Sequence, residues 1–378
     1  MKKILFIAST LSHIENFHIP YLKKFKDLGY SVHVMGKLNN KSEILYADKI
    51  ISVPFEKSML SLKNFYLSLK IAKIINKNNY DIIIIHTSLA AFFARIGIIL
   101  CLKKPKLVVN TVHGYLFDYN SSFFKKHIMI LAEKLTKCVT NVIIVMNSLD
   151  YDIAKKYKLY KDNLYLINGM GIDPNSFPSI SSKCKVALRN SHDFSERDFI
   201  LIYVAEFSKR KNQKFLINSM NKLIGEGFSN IKLLFLGDGQ FLDELKLYTQ
   251  SLSINDNVFF AGYTKDTCTY YQMSDICVSS SRIEGLPFNI MEAMSVGLPI
   301  VASKVKGHID LVIPNENGFL FNYNDIDEFC SYIKNIYKST DLQYRMHIKS
   351  IELSKKYSLD SVLSNTVRII LNEYDLHL

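Results

Sequence analysis

Residues 279–303 read SSSRIEGLPFNIMEAMSVGLPIVAS and carry two glutamates, Glu284 and Glu292, with seven residues between them. Gly285 and Pro287 interrupt whatever precedes them, and Pro287 suits the first position of a helix. Phe288, Ile290, Met291 and Met294 then recur at helical spacing, Gly297 supplies a helix stop, and Pro299 lies just beyond it. Leu298 to Ala302 reads as a short buried strand, and ICVSS before the loop as another. The unit is strand, loop, helix, strand, with Glu284 at the helix mouth and Glu292 about two turns inside. The N–H groups of a helix start form an anion site. Carboxylates beside it suit the hydroxyls of a phosphorylated sugar better than phosphate itself. A capped core helix with one solvated glutamate is the other reading of the same local pattern.

The same alternation extends in both directions. KILFIAS, YSVHVMG, DIIIIH, KLVVNTVH, NVIIVM and NLYLIN read as strands, with helices expected over 19–26, 60–76, 89–102 and 123–136. DIIIIH has no polar face, as in a parallel sheet covered on both sides. DPNSFPSISSKCK, rich in Pro and Ser, reads as a linker. A second series follows: FILIYVA, IKLLFLG, NVFFAG, ICVSS, PIVAS and GFLF, then helices over 326–338, about 340–356 and 359–374. The expected architecture is α/β, with doubly wound domains over 1–180 and 181–358 facing each other across a cleft. Helix 359–378 is expected to return to the first domain.

The 378 residues suit two domains, each with its own core. Net charge is +12, unevenly spread. Residues 1–180 hold 25 Lys and Arg against 12 Asp and Glu, while the remainder holds 22 against 23. A basic first half suits an anionic membrane or a phosphorylated ligand, or is a lysine-rich solvated surface. Aromatic and basic residues do not interleave as a nucleic-acid surface requires, so no nucleic acid is expected. The six cysteines form no C-x-x-C pair and read as reduced thiols of a cytoplasmic protein. MKKILFIAST reads as a first strand rather than a signal segment. The apolar stretch from Leu89 to Leu102 is broken by Arg95 and too short to span a bilayer.

In open α/β sheets ligands bind beyond the carboxyl ends of strands. His86, His113-Gly114, Asn168-Gly169, Glu206 to Lys211, Gly237-Asp238-Gly239, Gly262, Glu284 and Gly307 all follow strands. Lys209, Arg210 and Lys211 precede a helix start near Asn212, where cations add to the helix dipole and would grip a diphosphate; a solvated basic loop is the other reading. The GDG triplet reads as a tight turn. His13 and His18 follow the first strand where a Gly-rich loop would sit in a dinucleotide-binding fold; without G-x-G-x-x-G, a nicotinamide enzyme is not expected. The D-x-D triplets at 150–152 and 325–327 fall at helix starts and read as cap or first-turn residues, so no metal site is expected. SSFFKKHIMILAEKLTK, residues 121–137, reads either as a membrane-surface helix or as a packed helix with a basic outer face.

Taken together, these motifs resemble the family-4 retaining glycosyltransferases, which have the GT-B fold of two Rossmann-like domains. EGLPFNIMEAMSVGLPIVASKVKG is similar to the family's E-x7-E segment, and VHGY, INGMGID, KRKN, FLGDG, FAGYT and ENGFLF match elsewhere. The resemblance implies that Glu292 bonds the ribose hydroxyls and Glu284 faces the donor sugar. The backbone from Gly285 through Leu286 and Pro287 to Phe288 would approach the sugar and diphosphate. Lys211 would neutralise the diphosphate, with Lys209 or Arg210 replacing the family arginine where this chain has Ala205-Glu206, and Gly262 on the donor side. His113 would lie near the reacting centre, with His13, His18 and Gly114 on the acceptor side. The implied reaction moves an N-acetylhexosamine or hexose from a UDP-sugar to a lipid-linked saccharide in bacterial surface polysaccharide synthesis. No cofactor or metal is implied, nor any oligomeric state. The enzyme is expected in the cytoplasm, peripheral on the inner face of the plasma membrane. A GT-B sugar-nucleotide epimerase and a non-catalytic scaffold subunit are the rival expectations.

Overall fold

The computed structural model describes residues 1–38, 43–56, 58, 61–119 and 121–377. The chain divides into two compact units, Met1–Gly171 with Asp360–Leu378, and Ile172–Leu359. The division falls just before the Pro/Ser-rich stretch rather than within it. Ile172 already belongs to the second unit: its N–H donates to the Tyr357 carbonyl at 2.9 Å, and its own carbonyl accepts from Leu359 at 2.7 Å.

In the first unit the chain runs β1 (Lys3–Thr10), α1 (Leu11–Phe17), α2 (Ile19–Asp27), β2 (Ser31–Lys37), β3 (Lys49–Ser52), α3 (Leu62–Asn78), β4 (Ile82–His86), α4 (Ser88–Ile99), β5 (Leu107–Val112), α5 (Phe123–Thr136), β6 (Val142–Val145), α6 (Ser148–Tyr157) and β7 (Asn163–Leu166). The strands form one parallel sheet in the order β3-β2-β1-β4-β5-β6-β7. Ile82 to Ile85 are buried on both faces, as their unbroken apolar run requires. Leu5, Ile7, Ile83 and Ile85 pack with Ile71, Ile75 and Phe93 of the covering helices. Strand order reverses between β1 and β4, which makes their carboxyl ends a switch point where ligands bind in such sheets. Leu60, the expected start of α3, lies outside the described residues. Two elements escape the sequence pattern, α1 and β3. Thr10 caps α1 by accepting from the His13 N–H, so a helix follows β1 directly.

The second unit runs α7 (Ser182–Ser191), β8 (Phe199–Val204), α8 (Gln213–Gly225), β9 (Ile231–Leu236), α9 (Leu242–Ser251), β10 (Val258–Gly262), α10 (Thr267–Met273), β11 (Ile276–Ser279), α11 (Phe288–Val296), β12 (Ile300–Ser303), α12 (His308–Leu311), β13 (Gly318–Phe321), α13 (Ile326–Lys338) and α14 (Thr340–Ser354). Its parallel sheet has the order β10-β9-β8-β11-β12-β13, reversing between β8 and β11. Leu201, Tyr203, Leu233 and Phe235 pack with Phe215 and Leu216 of α8 and with Phe329 and Ile333 of α13. α15 (Leu359–Leu376) then belongs to the first unit. There Glu373 accepts from the Asn163 amide at 2.9 and 3.0 Å and from the Tyr165 hydroxyl at 2.5 Å.

All six cysteines are free thiols: Cys101, Cys277 and Cys330 are buried, Cys268 is half-buried, and Cys138 and Cys184 are exposed. No helix among the described residues is long and apolar enough to cross a membrane.

Candidate functional site

In the second unit, the loops after β8 and β11 meet at the switch point. Tyr203, wholly buried in β8, donates to the Lys211 carbonyl at 3.1 Å and shares a 2.7 Å hydrogen bond with Ser281. Ser280 donates to the carbonyls of Lys211 and Asn212 at 3.0 and 2.9 Å. These contacts clamp the KRKN loop onto the strand that leads to Glu284. Asn212 enters α8 in the left-handed region, φ 55°. Asn289 on α11 donates to the Val204 carbonyl at 2.9 Å and fixes that helix to the end of β8.

The loop so placed delivers its cations to Glu284. Lys211 Nζ lies 2.5 Å from Glu284 Oε1, and Arg210 Nη1 lies 3.0 Å from Oε2. The Lys211 and Glu284 side chains are only 11% and 8% exposed, so their attraction is little screened. Burial pushes the Glu284 carboxyl up, but Lys211, Arg210 and His308 together hold it below the usual range. Burial draws the Lys211 ammonium down against the pull of Glu284. Lys209 turns elsewhere, its ammonium 5.9 Å from the Phe241 ring centroid. Of the two candidate replacements for the family arginine, the structure brings Arg210 to the site.

Pro287 is the N-cap of α11 rather than its first residue, and no side chain caps that end. Gly297 closes the helix at φ 95°, as the sequence predicts. Leu286 is buried, and Phe288 begins the helix. Glu292 lies on α11 and accepts from the Tyr271 hydroxyl at 3.1 Å. Burial raises its pKa above the usual carboxylate value, with the Tyr271 bond pulling back. Gly307 sits beneath the Glu284–Leu286 turn at φ 82°, and a Cβ there would lie 2.5 Å from the Gly285 carbonyl oxygen.

Other expected features have structural roles. Gly262 ends β10 and accepts from the Gly237 N–H at 2.8 Å. Gly237 and Gly239 pack against the backbone of Ala205 and Phe207 so tightly that a Cβ would stand 2.1 and 2.4 Å from their oxygens. GDG is thus a turn fitted to the β8 loop. Asp325 caps α13 through Glu328, and Asp150, in the first turn of α6, accepts from the Tyr115 N–H at 3.2 Å.

Sequence reasoning missed Tyr271 and His308. His308 is fully buried, shares a 3.1 Å hydrogen bond with Ser279, and lies with Nδ1 2.8 Å from the Ser303 carbonyl. Burial lowers its pKa to about 4. The one available signal was its position, directly after a glycine beyond a strand.

In the first unit His113-Gly114 follows β5, and His13 and His18 lie on α1 and at the α1–α2 corner. The structure brings these three histidines together and adds His86, the last residue of β4, whose Nδ1 is 3.2 Å from His113 Nε2. Gly114 has φ 138°, a conformation open to glycine. Burial holds His13 near 4 and His113 near 3, and His18 and His86 well below the normal range, so the cluster is neutral.

Comparison with known proteins agrees with this layout. Residues 3–147 match the family model "Glycosyl transferase 4-like", and residues 185–352 match "Glycosyl transferases group 1". The putative glycosyltransferase EpsD of Bacillus subtilis is 31% identical over 341 residues, covering 90% of this chain and 89% of that one. The chain belongs to the group 1 glycosyltransferases. Another relative of this glycosyltransferase is the Escherichia coli UDP-Gal:alpha-D-GlcNAc-diphosphoundecaprenol alpha-1,3-galactosyltransferase, 29% identical over 72% of this chain and 69% of that one. The solved structure of Anabaena Alr3699/HepE in complex with UDP and glucose superposes with a TM-score of 0.79 at 19% identity, covering 98% and 100% of the two chains. The fold is GT-B.

Proposed function

We propose that this glycosyltransferase moves an N-acetylhexosamine or hexose from a UDP-sugar to a lipid-linked saccharide, with retention, in bacterial surface polysaccharide assembly. The observation that carries the reading is the shielded ion pair of Glu284 with Lys211 and Arg210 at the start of α11. An arriving diphosphate takes the two cations and a sugar hydroxyl takes the carboxylate, so a sugar diphosphate satisfies all three groups at once. Glu292, with its raised pKa, gains hydrogen-bond donors from ribose hydroxyls. Lys211, Arg210 and the α11 N-terminus stabilise charge on the leaving diphosphate, without a metal ion on the diphosphate. Front-face attack then needs no protein nucleophile, the acceptor hydroxyl passing its proton to the leaving phosphate. His113 serves the reacting centre, and His13, His18 and Gly114 the acceptor. The ligands named for the E. coli and Anabaena proteins support UDP, a hexose and a lipid diphosphate.

Helix α5 supports a place of work at a membrane surface. Only Ile130 and Thr136 of that helix are buried. Phe124, Ile128, Leu131 and Leu135 form an exposed apolar stripe beside Lys125 and Lys134, as in a helix lying in an anionic membrane surface. A packed helix would have buried that stripe. The enzyme then works on the inner face of the plasma membrane. Wild type is expected to co-sediment with phosphatidylglycerol vesicles and Phe124→Asp/Leu131→Asp to remain in the supernatant; equal sedimentation defeats this placement.

The donor assignment is tested by thermal shift across nucleotides and nucleotide sugars. Binding raises Tm by mass action. A shift with UDP and one UDP-sugar, lost in Glu292→Ala, is expected. A folded protein with no nucleotide shift, even with acceptor lipid present, defeats the reading in favour of a scaffold subunit.

A further inference from the structure

The loop that carries Arg210 and Lys211 to Glu284 has a second side, and Lys209 turns to it. There Ser208, Lys209, Gln213, Lys214, Phe241 and Arg282 line a cavity of about 230 Å3, wholly within the second unit. Strands β8 to β10 and β11 to β13 run outward from the switch point in opposite directions. Right-handed crossovers therefore put α8 and α9 on one face of the sheet and α11 on the other. The cavity belongs to the α8–α9 side of the loop and the Glu284 pair to the α11 side. The Arg282 N–H donates to the Arg210 carbonyl at 2.8 Å, so the cavity is built on the back of the loop that serves Glu284.

Its walls hold charge and hydrogen-bonding capacity that the unit leaves unused. Among the described residues, Lys209, Lys214 and Arg282 form no ion pair. Each rests on a ring instead, 5.9 Å from the Phe241 centroid, 4.4 Å from that of Tyr248 and 5.6 Å from that of Tyr323. Glu244 is the single carboxylate of the lining, against these three cations. No side chain caps α8, whose N-terminus adds its own positive end. Gln213, only 2% exposed, donates from Nε2 to the Glu206 carbonyl at 2.8 Å. That bond fixes the orientation of the amide and leaves Oε1 buried without a hydrogen bond. Ser208 Oγ is likewise buried and unpartnered. Buried polar atoms are satisfied as a rule, so two in one cavity wall point to a ligand.

These features ask for two chemistries in one molecule. The cations and the helix end select an anion. Gln213 Oε1 can only accept, and so can the oxygens of sulfate or of a phosphate-ester dianion, so the anion must also carry a hydroxyl. The cavity has room for several waters, more than a phosphate group fills. Phe241 gives an apolar wall for the C–H face of a sugar ring. We propose that this cavity binds a hexose phosphate, its phosphate on Lys209, Lys214 and Arg282 and a ring hydroxyl donating to Gln213 Oε1. Ser208 Oγ is a further hydrogen-bond partner. The site is separate from the donor site and does not depend on that reading.

Calorimetric titration of the full-length protein with glucose 1-phosphate, glucose 6-phosphate and N-acetylglucosamine 1-phosphate, with and without UDP, tests the site. One of the three is expected to bind with one molecule per chain, equally well in both conditions. Glucose and sulfate, each half of the ligand, are expected to bind about tenfold more weakly. Lys214→Ala/Arg282→Ala is expected to weaken hexose phosphate binding about tenfold. Glu244→Gln removes the opposing carboxylate and is expected to tighten it about threefold. All three of these side chains are exposed, and the UDP affinity of both variants is expected to match wild type. Circular dichroism checks folding; should the double variant fail to fold, Glu244→Gln decides the location. No binding by any of the three sugar phosphates overturns the site, as does loss of their binding on adding UDP, which returns the ligand to the donor site. Sulfate binding as tightly as the sugar phosphates overturns the sugar assignment. Unchanged affinity in both variants overturns the placement. Hexose phosphate bound by a protein that does not bind UDP overturns only the donor reading.

Discussion

Both sheets gather polar side chains at their carboxyl ends, but the two units bury them by opposite means. In the second, opposite charges neutralise one another, Glu284 against Lys211 and Arg210. In the first, four bases of one kind are kept uncharged by burial. A paired site is internally satisfied, so its ligand has to replace both halves of the pair; phosphate alone or a neutral sugar alone strands one of them. A cluster with unpartnered ring nitrogens keeps hydrogen-bonding capacity that its own unit does not satisfy.

The largest test of this contrast removes one half of the pair. Glu284→Gln is expected to slow transfer about a hundredfold, the scale of losing one preorganised transition-state contact. UDP affinity should change far less, and equal losses in both would merge the two roles assigned to the carboxylates. Next is acid. The folded pKa of His308, about 4, lies below its unfolded value of 6.5, so between these values the unfolded chain binds the proton and the folded chain does not. Its contribution is intact above pH 6.5 and falls by about 3 kcal/mol towards pH 4. Burial is what lowers it; Glu284 and the Ser303 carbonyl oppose the shift and Lys211 adds to it, so the paired site tempers an effect that burial sets. Denaturant unfolding across that range should show a shallower acid loss in His308→Asn than in wild type. Gly307→Ala, forced into positive φ against the Gly285 carbonyl, should destabilise by about 2 kcal/mol and disturb the Glu284 turn. Calorimetry and UDP titration of that variant would show whether the turn and the ion pair fail together. Smallest is Tyr271→Phe, which removes one hydrogen bond from Glu292 and should shift UDP affinity by about 1 kcal/mol; no change would make Tyr271 a packing residue.

The fold was legible because its signals are local. An unbroken apolar run such as DIIIIH has no exposed face to offer, and Gly297-Leu298-Pro299 ends a helix by backbone geometry alone. The donor-side candidates were legible for the same reason: Lys211 and Glu284 lie on short loops after strong strands. What stayed hidden is made by tertiary contact. β3 is four residues on a sheet edge, with little pattern to detect. α1 occupies the place where a Gly-rich loop sits in a dinucleotide-binding fold, and its cap is a threonine still inside the strand run. Tyr271 meets Glu292 across 21 positions, and His86 meets His113 across 27, so neither partner marks the other in sequence.

The return of α15 to the first unit has a further consequence, for synthesis. Asn163 and Tyr165 on β7 wait for Glu373, which the ribosome makes only after the entire second unit. Chains fold from the N-terminus as they emerge, so the second unit can close while the first still presents an unfinished edge. The unit made first is therefore completed last, and the nascent chain acquires its carboxylate site before its histidine-bearing unit is sealed.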